Sequence, residues 1–545
     1  MEKERQMRGT DDGMTARGEG RDGCGCGGRT PPGSPRARAV LRLHPADDVV
    51  VAISDLAAGT VVETEAGPTP LPRAIPAGHK IAFHALKPGD PVHRYGQVIG
   101  FAGTPVAPGD HVHVHNLARG EVQQRYQVGR DVRPVTPYPP EAMRTFDGYL
   151  RADGRVGTRN YVAIVSTVNC AAHVAKEAAE RFRDVARVVP GVDGVFALTH
   201  RGGCGHVANG EDHRILERDL AGYAKHPNVA AYVVLGLGCE VNQASTLVQR
   251  GRLASIVDRG APPPVVEIQR AGGTRNAVEA TVEAVASLLS RAAEARRTPQ
   301  PVSRLVLATK CGGSDGYSGV TANPALGWAV DELVRYGGAA VLAETTEIYG
   351  AEQLLVARAA SDEVARKLLD RVAWWRRYLQ LQGADVDHNP SPGNVAGGIS
   401  TVLEKSLGGA AKGGTTPLVD VVQYAERIAG PGLVFMDTPG YDPVSVTGMV
   451  AGGANLLAFT TGRGSVYGCK PVPSTKLASN SELFRHMADD MDVDCCGILD
   501  GATIEETGRR IFEELVAVAS GKRTKSEELG FGEEEFAPWT PGPTL

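Results

Sequence analysis

Two patterns of apolar residues alternate along most of the chain. Short runs of consecutive apolar residues, such as Leu305–Ala308, are typical of buried strands. Longer segments, such as Asp362–Leu381, carry apolar residues at the spacing of a helix. Strands that alternate with helices favour mostly parallel sheets. We therefore predict an α/β fold with two α/β units, residues 146–297 and residues 298–545.

Four of the predicted strands end at a cysteine within a turn of glycine and small polar residues. Those cysteines are Cys170, Cys204, Cys239 and Cys311. The carboxyl ends of strands are where open α/β sheets bind their ligands. A single cysteine at such a place is more simply a small apolar residue of the core. Because four of them share this placement, the pattern favours a shared polar site.

The loops after the strands of the second unit carry many charged and polar side chains. They include Ser314, Asp315, Asn323, Glu344, Glu347, Glu352, Asn389, Asn394, Lys405, Lys412 and Arg463. Singly, each loop is compatible with a turn or a helix cap. Together, they predict a site for a small polyhydroxylated anion. Backbone N–H groups of glycine turns, Arg463 and the lysines would hold oxyanions, and carboxylates would hold hydroxyl groups.

Residues 38–118 show short β-branched runs separated by Gly and Pro turns, which predicts a small β-rich domain. Its last run is His111-Val-His-Val-His115, and the strand period of two places His111, His113 and His115 on one face. Three imidazoles on one face are suited to bind a metal ion or an anionic substrate. The alternative is the solvated face of an edge strand.

Two segments lack the apolar content of a folded domain. Residues 1–37 are rich in Gly, Arg, Asp and Pro, which predicts a disordered tail. Cys24 and Cys26 in that tail are weak evidence for a metal site. Residues 119–145 carry a cluster of prolines and are predicted to be an extended linker between the β-rich domain and the first α/β unit.

Composition limits the classes of function. Hydrophobic residues make up 42% of the 545 residues, charged residues 22%, and the net charge is −5, so the basic character of a nucleic-acid-binding protein is missing. No apolar run approaches the roughly 18–20 residues of a membrane helix, and the N-terminus lacks the apolar core of a signal peptide. Nine cysteines in so long a chain do not resemble a secreted disulfide framework. We predict a cytoplasmic protein.

Six ordered motifs resemble the altronate dehydratase / galactarate dehydratase family. They are Asp153–Asn160, Gly236–Glu240, Cys311–Gly316, Thr321–Pro324, Asn389–Asn394 and Thr461–Gly464. The similarity spans residues 38 to 545. It implies an N-terminal β-clip (SAF-type) domain, and a metal-assisted, iron-dependent dehydration of a sugar acid to a 2-keto-3-deoxy acid. The motif His111–Asn116 and the Glu347–Glu352 loop look more like altronate than galactarate dehydratases, whereas Cys469 and the N-terminal tail depart from the family pattern.

The reaction implied by the resemblance converts D-altronate to 2-dehydro-3-deoxy-D-gluconate and water. A base removes the proton at C2, an acid protonates the leaving hydroxyl, and a divalent metal polarises the substrate. The candidate catalytic residues are His200, Asp315, Glu347 and Lys405. The candidate substrate-binding residues are His113, His115, Ser314, Asn323, Asn394 and Arg463. The candidate metal ligands are the four strand-end cysteines Cys170, Cys204, Cys239 and Cys311.

Several alternatives stay open at this point. The expected cofactor is Fe2+, with Mn2+ or an iron–sulfur cluster on three or four thiolates as alternatives. The substrate is altronate, galactarate or another hydroxy acid. A sugar-acid-binding protein without catalysis is the alternative of another class, although the candidate acid, base and metal-binding residues argue against it. The expected partners are a sugar acid and a second copy in a homodimer, without nucleic acid or membrane.

Overall fold

The computed structural model describes residues 39–120, 122, 124–254, 260–386 and 389–541. The tail predicted for residues 1–37, with Cys24 and Cys26, lies outside the described residues. Within them, no helix is long and apolar enough to cross a membrane.

The N-terminal part of the chain folds into nine short strands, as the β-branched runs and Gly/Pro turns predict. The strands are β1 Val40–Leu41, β2 Val49–Ala52, β3 Val61–Thr64, β4 Gly67–Pro70, β5 Lys80–Ala82, β6 Pro91–Arg94, β7 Gln97–Ala102, β8 His111–Val112 and β9 Leu117–Ala118. They form an antiparallel sheet in the order β1-β2-β5-β8, a second sheet in the order β6-β7-β9 and the hairpin β3-β4. The histidine run begins on β8, which pairs with β5.

The first α/β unit contains a four-stranded parallel sheet. Its strands are β12 Tyr161–Ser166, β13 Gly194–Leu198, β14 Val229–Gly236 and β15 Val265–Glu267, in the order β13-β12-β14-β15. Its helices are α1 Ala172–Glu180, α2 Val185–Val188, α3 Glu211–Ala224, α4 Ala244–Arg250 and α5 Thr274–Ala292. Every residue of β12 and β14 is buried, because helices cover both faces of a parallel sheet.

The second α/β unit contains a seven-stranded parallel sheet. Its strands are β17 Val306–Cys311, β18 Ala339–Leu342, β19 Leu418–Val422, β20 Gly432–Met436, β21 Leu456–Thr461, β22 Ser474–Ala478 and β23 Val493–Asp494. The strand order is β19-β20-β18-β17-β21-β22-β23. Its helices are α6 Ala322–Arg335, α7 Glu352–Val356, α8 Asp362–Leu381, α9 Pro392–Ala396, α10 Val402–Ala410, α11 Asp442–Ala451, α12 Ser481–His486, α13 Ile504–Ala519 and α14 Lys525–Glu528. The predicted parallel sheets are therefore confirmed.

A small antiparallel sheet connects the beginnings of the two units. It consists of β10 Thr145–Leu150, β11 Val156–Gly157 and β16 Thr298–Pro301, in the order β11-β10-β16. The linker before β10 packs on the second unit: the N–H of Asp131 donates to the carbonyl of Ala357 (2.7 Å), and the Tyr138 hydroxyl donates to Glu332 (2.8 Å).

One apolar core joins the two parallel sheets through α3 and α11. It includes side chains of β12 and β14 from the first sheet, of β17 to β21 from the second, and of both helices. The two helices approach so closely at Gly222 that a Cβ there would lie 2.4 Å from the carbonyl oxygen of Ala451. Glycine is required at this crossing because any larger residue would push the helices apart.

The N-terminal strands dock on the loops at the carboxyl end of the seven-stranded sheet. The Tyr317 hydroxyl donates to the carbonyl oxygens of Ala52 (3.0 Å) and Ile53 (2.9 Å). A Cβ at Gly316 would lie 2.0 Å from the carbonyl oxygen of Gly78. This close backbone approach brings the histidine-bearing strands against the polar loops of the second unit.

Candidate active site

The carboxyl ends of the neighbouring strands β17 and β18 deliver a buried group of opposite charges. Lys310 forms an ion pair with Glu344, lies 3.0 Å from Asp442, and donates to the carbonyl of Gly440 (2.7 Å). Lys412 comes from the turn after α10 and lies 2.7 Å from the sulfur of Cys311 and 2.9 Å from Glu344. We call Lys310, Cys311, Glu344, Glu347, Lys405 and Lys412 the lysine–carboxylate cluster.

In this cluster, burial lowers the pKa of each lysine and the neighbouring negative groups raise it. The effect of the neighbouring charges is the larger one. Burial by itself lowers the pKa of Lys310, but Glu344 and Asp442 hold it above its usual value. Burial likewise lowers the pKa of Lys412, and Cys311 and Glu344 outweigh that effect. Burial raises the pKa of the Cys311 thiol, with Glu344 adding to the shift. Both lysines are therefore charged at neutral pH, and burial favours the thiol form of Cys311.

The two carboxylate oxygens of Glu347 differ in their hydrogen bonds within the described part of the chain. Its Oε1 accepts from Lys405 Nζ (2.9 Å) and from the side-chain amide of Asn389 (3.0 Å). Its Oε2 is buried and has no hydrogen-bond partner among the described residues. Burial would raise the pKa of Glu347, but Lys405 and Lys310 lower it to about 2. A buried, ionised oxygen without a partner among the described residues is suited to accept a hydrogen bond from a ligand.

Glu344 adopts a left-handed backbone conformation, with φ 73° and ψ 62°. A non-glycine residue in this region costs on the order of 1–3 kcal/mol and is characteristic of functional sites. The surrounding contacts maintain it: the Glu344 N–H donates to the Thr438 hydroxyl (3.0 Å), and two lysines hold its carboxylate. The turn aims the carboxylate back over the strand ends.

Three histidines converge where the N-terminal strands meet the loop before α10. His79 Nδ1 lies 3.0 Å from His111 Nε2, and the nearest nitrogens of His79, His111 and His113 all lie within 4.8 Å of one another. His79 Nε2 lies 3.3 Å from the carbonyl of Ala396, and His113 Nδ1 lies 2.9 Å from the Ser400 hydroxyl. We call these three residues the imidazole triad.

The imidazole triad is neutral at physiological pH. Burial, followed by the charges of the neighbouring histidines, lowers the pKa of His111 to about 3. Burial and Lys80 lower that of His113 to about 4. Neutral imidazole nitrogens are the form that binds divalent metals. His115, also predicted to bind substrate, is exposed and its ring lies 5.4 Å from that of His111.

A buried carboxylate fastens the N-terminal strands beside the triad. Glu404, in the first turn of α10, forms ion pairs with Lys80 (2.9 Å) and with Arg94. Arg94 also donates to the carbonyl of Gly316 (2.7 Å). Burial opposes ionisation, but Lys80 and Arg94 lower the pKa of Glu404 to about 2. The ion pairs therefore fix the triad relative to the cluster.

Comparison with known protein families divides the chain into the same parts. Residues 38–120 match the altronate/galactarate dehydratase SAF domain. Residues 148–293 match the second domain of D-galactarate dehydratase/altronate hydrolase, and residues 302–544 match the C-terminal domain of D-galactarate/altronate dehydratase.

Whole-chain relatives agree with the domain matches. Altronate dehydratase of Escherichia coli K12 is 36% identical over 508 residues, which are 93% of this chain and 99% of the relative. The chain belongs to the altronate and galactarate dehydratase family. Altronate dehydratase of Bacillus subtilis 168 is 34% identical over 93% of this chain and 100% of its own length. Galactarate dehydratase (L-threo-forming) of E. coli K12 is 35% identical over 92% of this chain and 97% of its own length.

Several of the residues predicted for this dehydratase site shape its loops. Asp315 Oδ1 accepts from the N–H groups of Tyr317 (3.1 Å) and Ser318 (2.8 Å), and Oδ2 accepts from Asn480 (3.0 Å). The Asn323 side chain donates to the carbonyl of Gly408 and accepts from Thr460. These contacts let Asp315 and Asn323 position the loops, and the catalytic role of Asp315 and the substrate-binding role of Asn323 stay predictions.

The side chain of Asn394 contacts Ser314, whereas the side chain of Arg463 is exposed. Asn394 caps α9 through Ser391, and its side-chain amide donates to the carbonyl of Ser314 (2.8 Å). Arg463 is exposed, and within the described part of the chain its guanidinium has no ion-pair partner. A Cβ at Gly397 would touch both Asp315 and Arg463, so the arginine lies beside the Ser314–Asp315 loop. Arg463 is therefore available to a substrate carboxylate.

The four predicted cysteine ligands do not form one site. Among the described residues, no three of their sulfur atoms lie within 4.8 Å of one another. Cys311 ends a strand of the seven-stranded sheet and groups instead with Glu344 and Glu347. Cys170, Cys204 and Cys239 follow strands of the four-stranded sheet and are exposed. In the sequence, the four strands that end near a cysteine follow the same pattern. In the structure, they belong to two different sheets.

His200 belongs to the first α/β unit, in the loop after β13. Its Nε2 lies 3.0 Å from the carbonyl of Ser166, and its Nδ1 accepts from the N–H of Gly202 (3.2 Å). Burial lowers its pKa to about 4. Both ring nitrogens are engaged by backbone groups, so His200 helps to hold its loop, and its catalytic role stays a prediction.

The site contains residues that were not among the predicted catalytic, substrate-binding and metal-binding residues. His79 joins the triad from a turn far from the histidine run, and Lys310 and Lys412 both hold the carboxylate of Glu344. Lys310 carried a signal, because a charged residue stands inside an otherwise apolar strand. Nothing in the sequence pattern around His79 indicated that it belongs to this site, since only the pairing of β5 with β8 brings it to His111.

Proposed function

We propose that this protein is a hydro-lyase that dehydrates a sugar acid, with D-altronate as the substrate and 2-dehydro-3-deoxy-D-gluconate as the product. Its supports are membership in the dehydratase family and the similarity to two relatives named altronate dehydratase. The observation that carries the chemistry is the buried Oε2 of Glu347, which has no hydrogen-bond partner in the described part of the chain and belongs to the carboxylate that Lys405 holds.

This pair supplies a base and an acid for elimination. Glu347 accepts the proton from C2 as that C–H bond breaks, and Lys405 protonates the hydroxyl leaving C3, so that water departs. The resulting enol at C2 tautomerises to the keto acid. The 2.9 Å contact between Lys405 Nζ and Glu347 Oε1 lets the proton return from the acid to the amine after each turnover.

Arg463 and the loop amides bind the substrate. An exposed guanidinium beside a glycine-rich turn holds a carboxylate through two parallel N–H donations. Ser314 stands on the neighbouring loop, and its hydroxyl is suited to a hydroxyl group of a sugar acid, while Asn394 of α9 holds that loop through the carbonyl of Ser314. Binding the carboxylate at Arg463 orients the adjacent C2 toward the lysine–carboxylate cluster.

A divalent metal fits the imidazole triad. The fit rests on three neutral imidazoles whose nitrogens lie within 4.8 Å of one another, a donor set that suits Fe2+ and also Mn2+ or Zn2+. The lysine–carboxylate cluster fits a cation less well, because three lysines already balance its charges. When bound, the ion would polarise a substrate oxygen. The predicted cytoplasmic location and homodimer stay predictions.

A substrate panel tests the proposal. Protein prepared without oxygen and supplied with Fe2+ and reductant should convert altronate to a 2-keto acid, detected by a keto-acid assay. The panel includes galactarate and other aldonates. Binding of altronate, measured by calorimetry, without keto acid from any member of the panel would favour a sugar-acid-binding protein and contradict the proposal.

A further inference from the structure

Three cysteines on the first α/β unit take no part in the proposed reaction. Cys204 follows β13, Cys170 follows β12 and Cys239 follows β14, and these are the three adjacent strands β13-β12-β14 of one parallel sheet. All three are exposed free thiols. Carboxyl ends of adjacent parallel strands meet at one edge, so the three thiol-bearing loops share one end of the sheet.

Direct hydrogen bonds lock these loops to one another. The N–H of Asn169, the neighbour of Cys170, donates to the carbonyl of Gly202 (3.0 Å). The N–H of Asn242 donates to the carbonyl of Gly203, the neighbour of Cys204 (2.9 Å). Thr167 donates to the carboxylate of Glu240, the neighbour of Cys239 (2.6 Å). Each cysteine therefore stands next to a residue that ties its loop to another of the three.

The backbone of the loops requires glycine at the positions beside the thiols. Gly203 and Gly205 flank Cys204 with φ of 98° and 75°, and Gly238 precedes Cys239 with φ of 123°. A Cβ at Gly203 would lie 2.2 Å from the carbonyl oxygen of Thr167. His200 adds to this support through the carbonyl of Ser166 and the N–H of Gly202. The three thiols are therefore carried by closely packed loops.

The separation of the sulfur atoms argues against a single tetrahedral zinc ion bound by all three thiols. In a tetrahedral zinc site with Zn–S bonds of about 2.3 Å, the sulfurs lie about 3.8 Å apart. The three sulfurs here do not all lie within 4.8 Å of one another. In an iron–sulfur cluster each thiolate binds a different iron, which requires wider spacing. The side-chain amide of Gln269 donates to the Cys239 sulfur (3.3 Å), a contact of the kind that tunes such clusters.

We propose that Cys170, Cys204 and Cys239 hold an iron–sulfur cluster at the exposed end of the four-stranded sheet. With three cysteine ligands, one iron of a four-iron cluster has no cysteine and stays open to solvent or to a small oxygen ligand. This site is separate in composition from the imidazole triad, and it stands whether or not the protein dehydrates altronate.

Anaerobic reconstitution with ferrous iron and sulfide tests the assignment. The wild-type protein should gain about four irons and four acid-labile sulfides per chain, with the broad visible absorption of an iron–sulfur cluster. Cys170→Ser, Cys204→Ser and Cys239→Ser should each lose most of the sulfide and of that absorption. Cys496→Ser and His111→Ala are the matched controls and should keep both, although His111→Ala would lose one further iron if the triad binds it.

Thiol protection supplies a test on the unaltered chain. After reconstitution, mass spectrometry should find Cys170, Cys204 and Cys239 protected from an alkylating reagent and, after chelation of the iron, modified by it. Reconstituted wild-type protein in which Cys170, Cys204 and Cys239 stay open to the reagent, or are protected by zinc or iron without acid-labile sulfide, would overturn the proposal. Cluster uptake that survives all three serine substitutions, or is lost equally in Cys496→Ser, would also overturn it.

Discussion

At the scale of single residues, Glu347 shows how a buried carboxylate is prepared for chemistry. Lys405 and Asn389 hold one oxygen, while the other faces no protein donor among the described residues. A buried carboxylate with hydrogen bonds to only one of its two oxygens costs free energy unless a ligand binds the other oxygen. The position therefore indicates function more strongly than the residue type does.

Replacing Glu347 by glutamine tests its role as the base. The amide keeps the contacts of Oε1 but accepts no proton, so we expect kcat on altronate to fall by about 10²–10⁴ with little change in substrate binding. Steady-state kinetics and calorimetric binding on the same preparation measure both. The control is Glu513→Gln, an exposed partner of Arg144, which should leave kcat unchanged. Full activity in Glu347→Gln would exclude this residue as the base.

Arg463 provides a prediction about substrate choice. Because it is the exposed guanidinium beside the Ser314–Asp315 loop, Arg463→Gln should raise KM for altronate by about tenfold or more. A site built around one carboxylate should also prefer altronate, with one, to galactarate, with two. The ratio of kcat/KM for the two acids measures this preference, and a clear preference for galactarate would contradict it.

At the scale of elements, the junction between the N-terminal strands and α10 depends on one carboxylate. Glu404 pairs with Lys80 of β5 and Arg94 of β6, and all three side chains are almost completely buried. Removing one partner of a buried ion pair leaves the others uncompensated and costs about 3–5 kcal/mol. The elements that carry the imidazole triad are thus fixed by charge as well as by the apolar contact of the N-terminal strands with Leu407 and Ala410 of α10.

Glu404 predicts a dependence of stability on pH. Its pKa is about 2 in the folded protein, below the usual value of 4.5, so its contribution is complete above pH 4.5 and is lost as pH falls toward 2. The shift corresponds to about 3 kcal/mol. Urea unfolding should find Glu404→Gln less stable than wild type at pH 7, with the difference shrinking below pH 4.5. A difference independent of pH down to pH 3 would contradict this assignment.

At the scale of the whole molecule, the crossing of α3 and α11 holds the two parallel sheets in one core. Gly222→Ala would gain about 1 kcal/mol of helix propensity, but its Cβ would meet the backbone of Ala451 at 2.4 Å. Overpacking costs about 1–3 kcal/mol, so we expect a net loss and a lower Tm in calorimetry. Gly393→Ala in α9 has open space and should leave Tm unchanged or slightly higher.

The pattern of apolar residues was sufficient to predict the strands, the helices and the parallel sheets. Runs such as Tyr161–Ser166 and Leu456–Thr461 are buried along their whole length, and local sequence dictates that they are strands in covered parallel sheets. The predicted helix Asp362–Leu381 has the same bounds in the structure, because Ser361 caps its first turn. Local chemistry also supplied Glu347 and Arg463, which stand in polar turns after strands, and Lys405, which lies in α10.

The tertiary structure alone decided which of these residues meet. The sequence predicted one site from four cysteines, yet the order of strands assigns Cys311 to one sheet and the other three to another. His79 reaches His111 only because β5 pairs with β8, and Lys412 reaches Cys311 only because the turn after α10 packs on β17. Sequence fixes periodicity and side-chain chemistry, which are local, whereas contacts between distant segments follow from packing, which a local pattern does not encode.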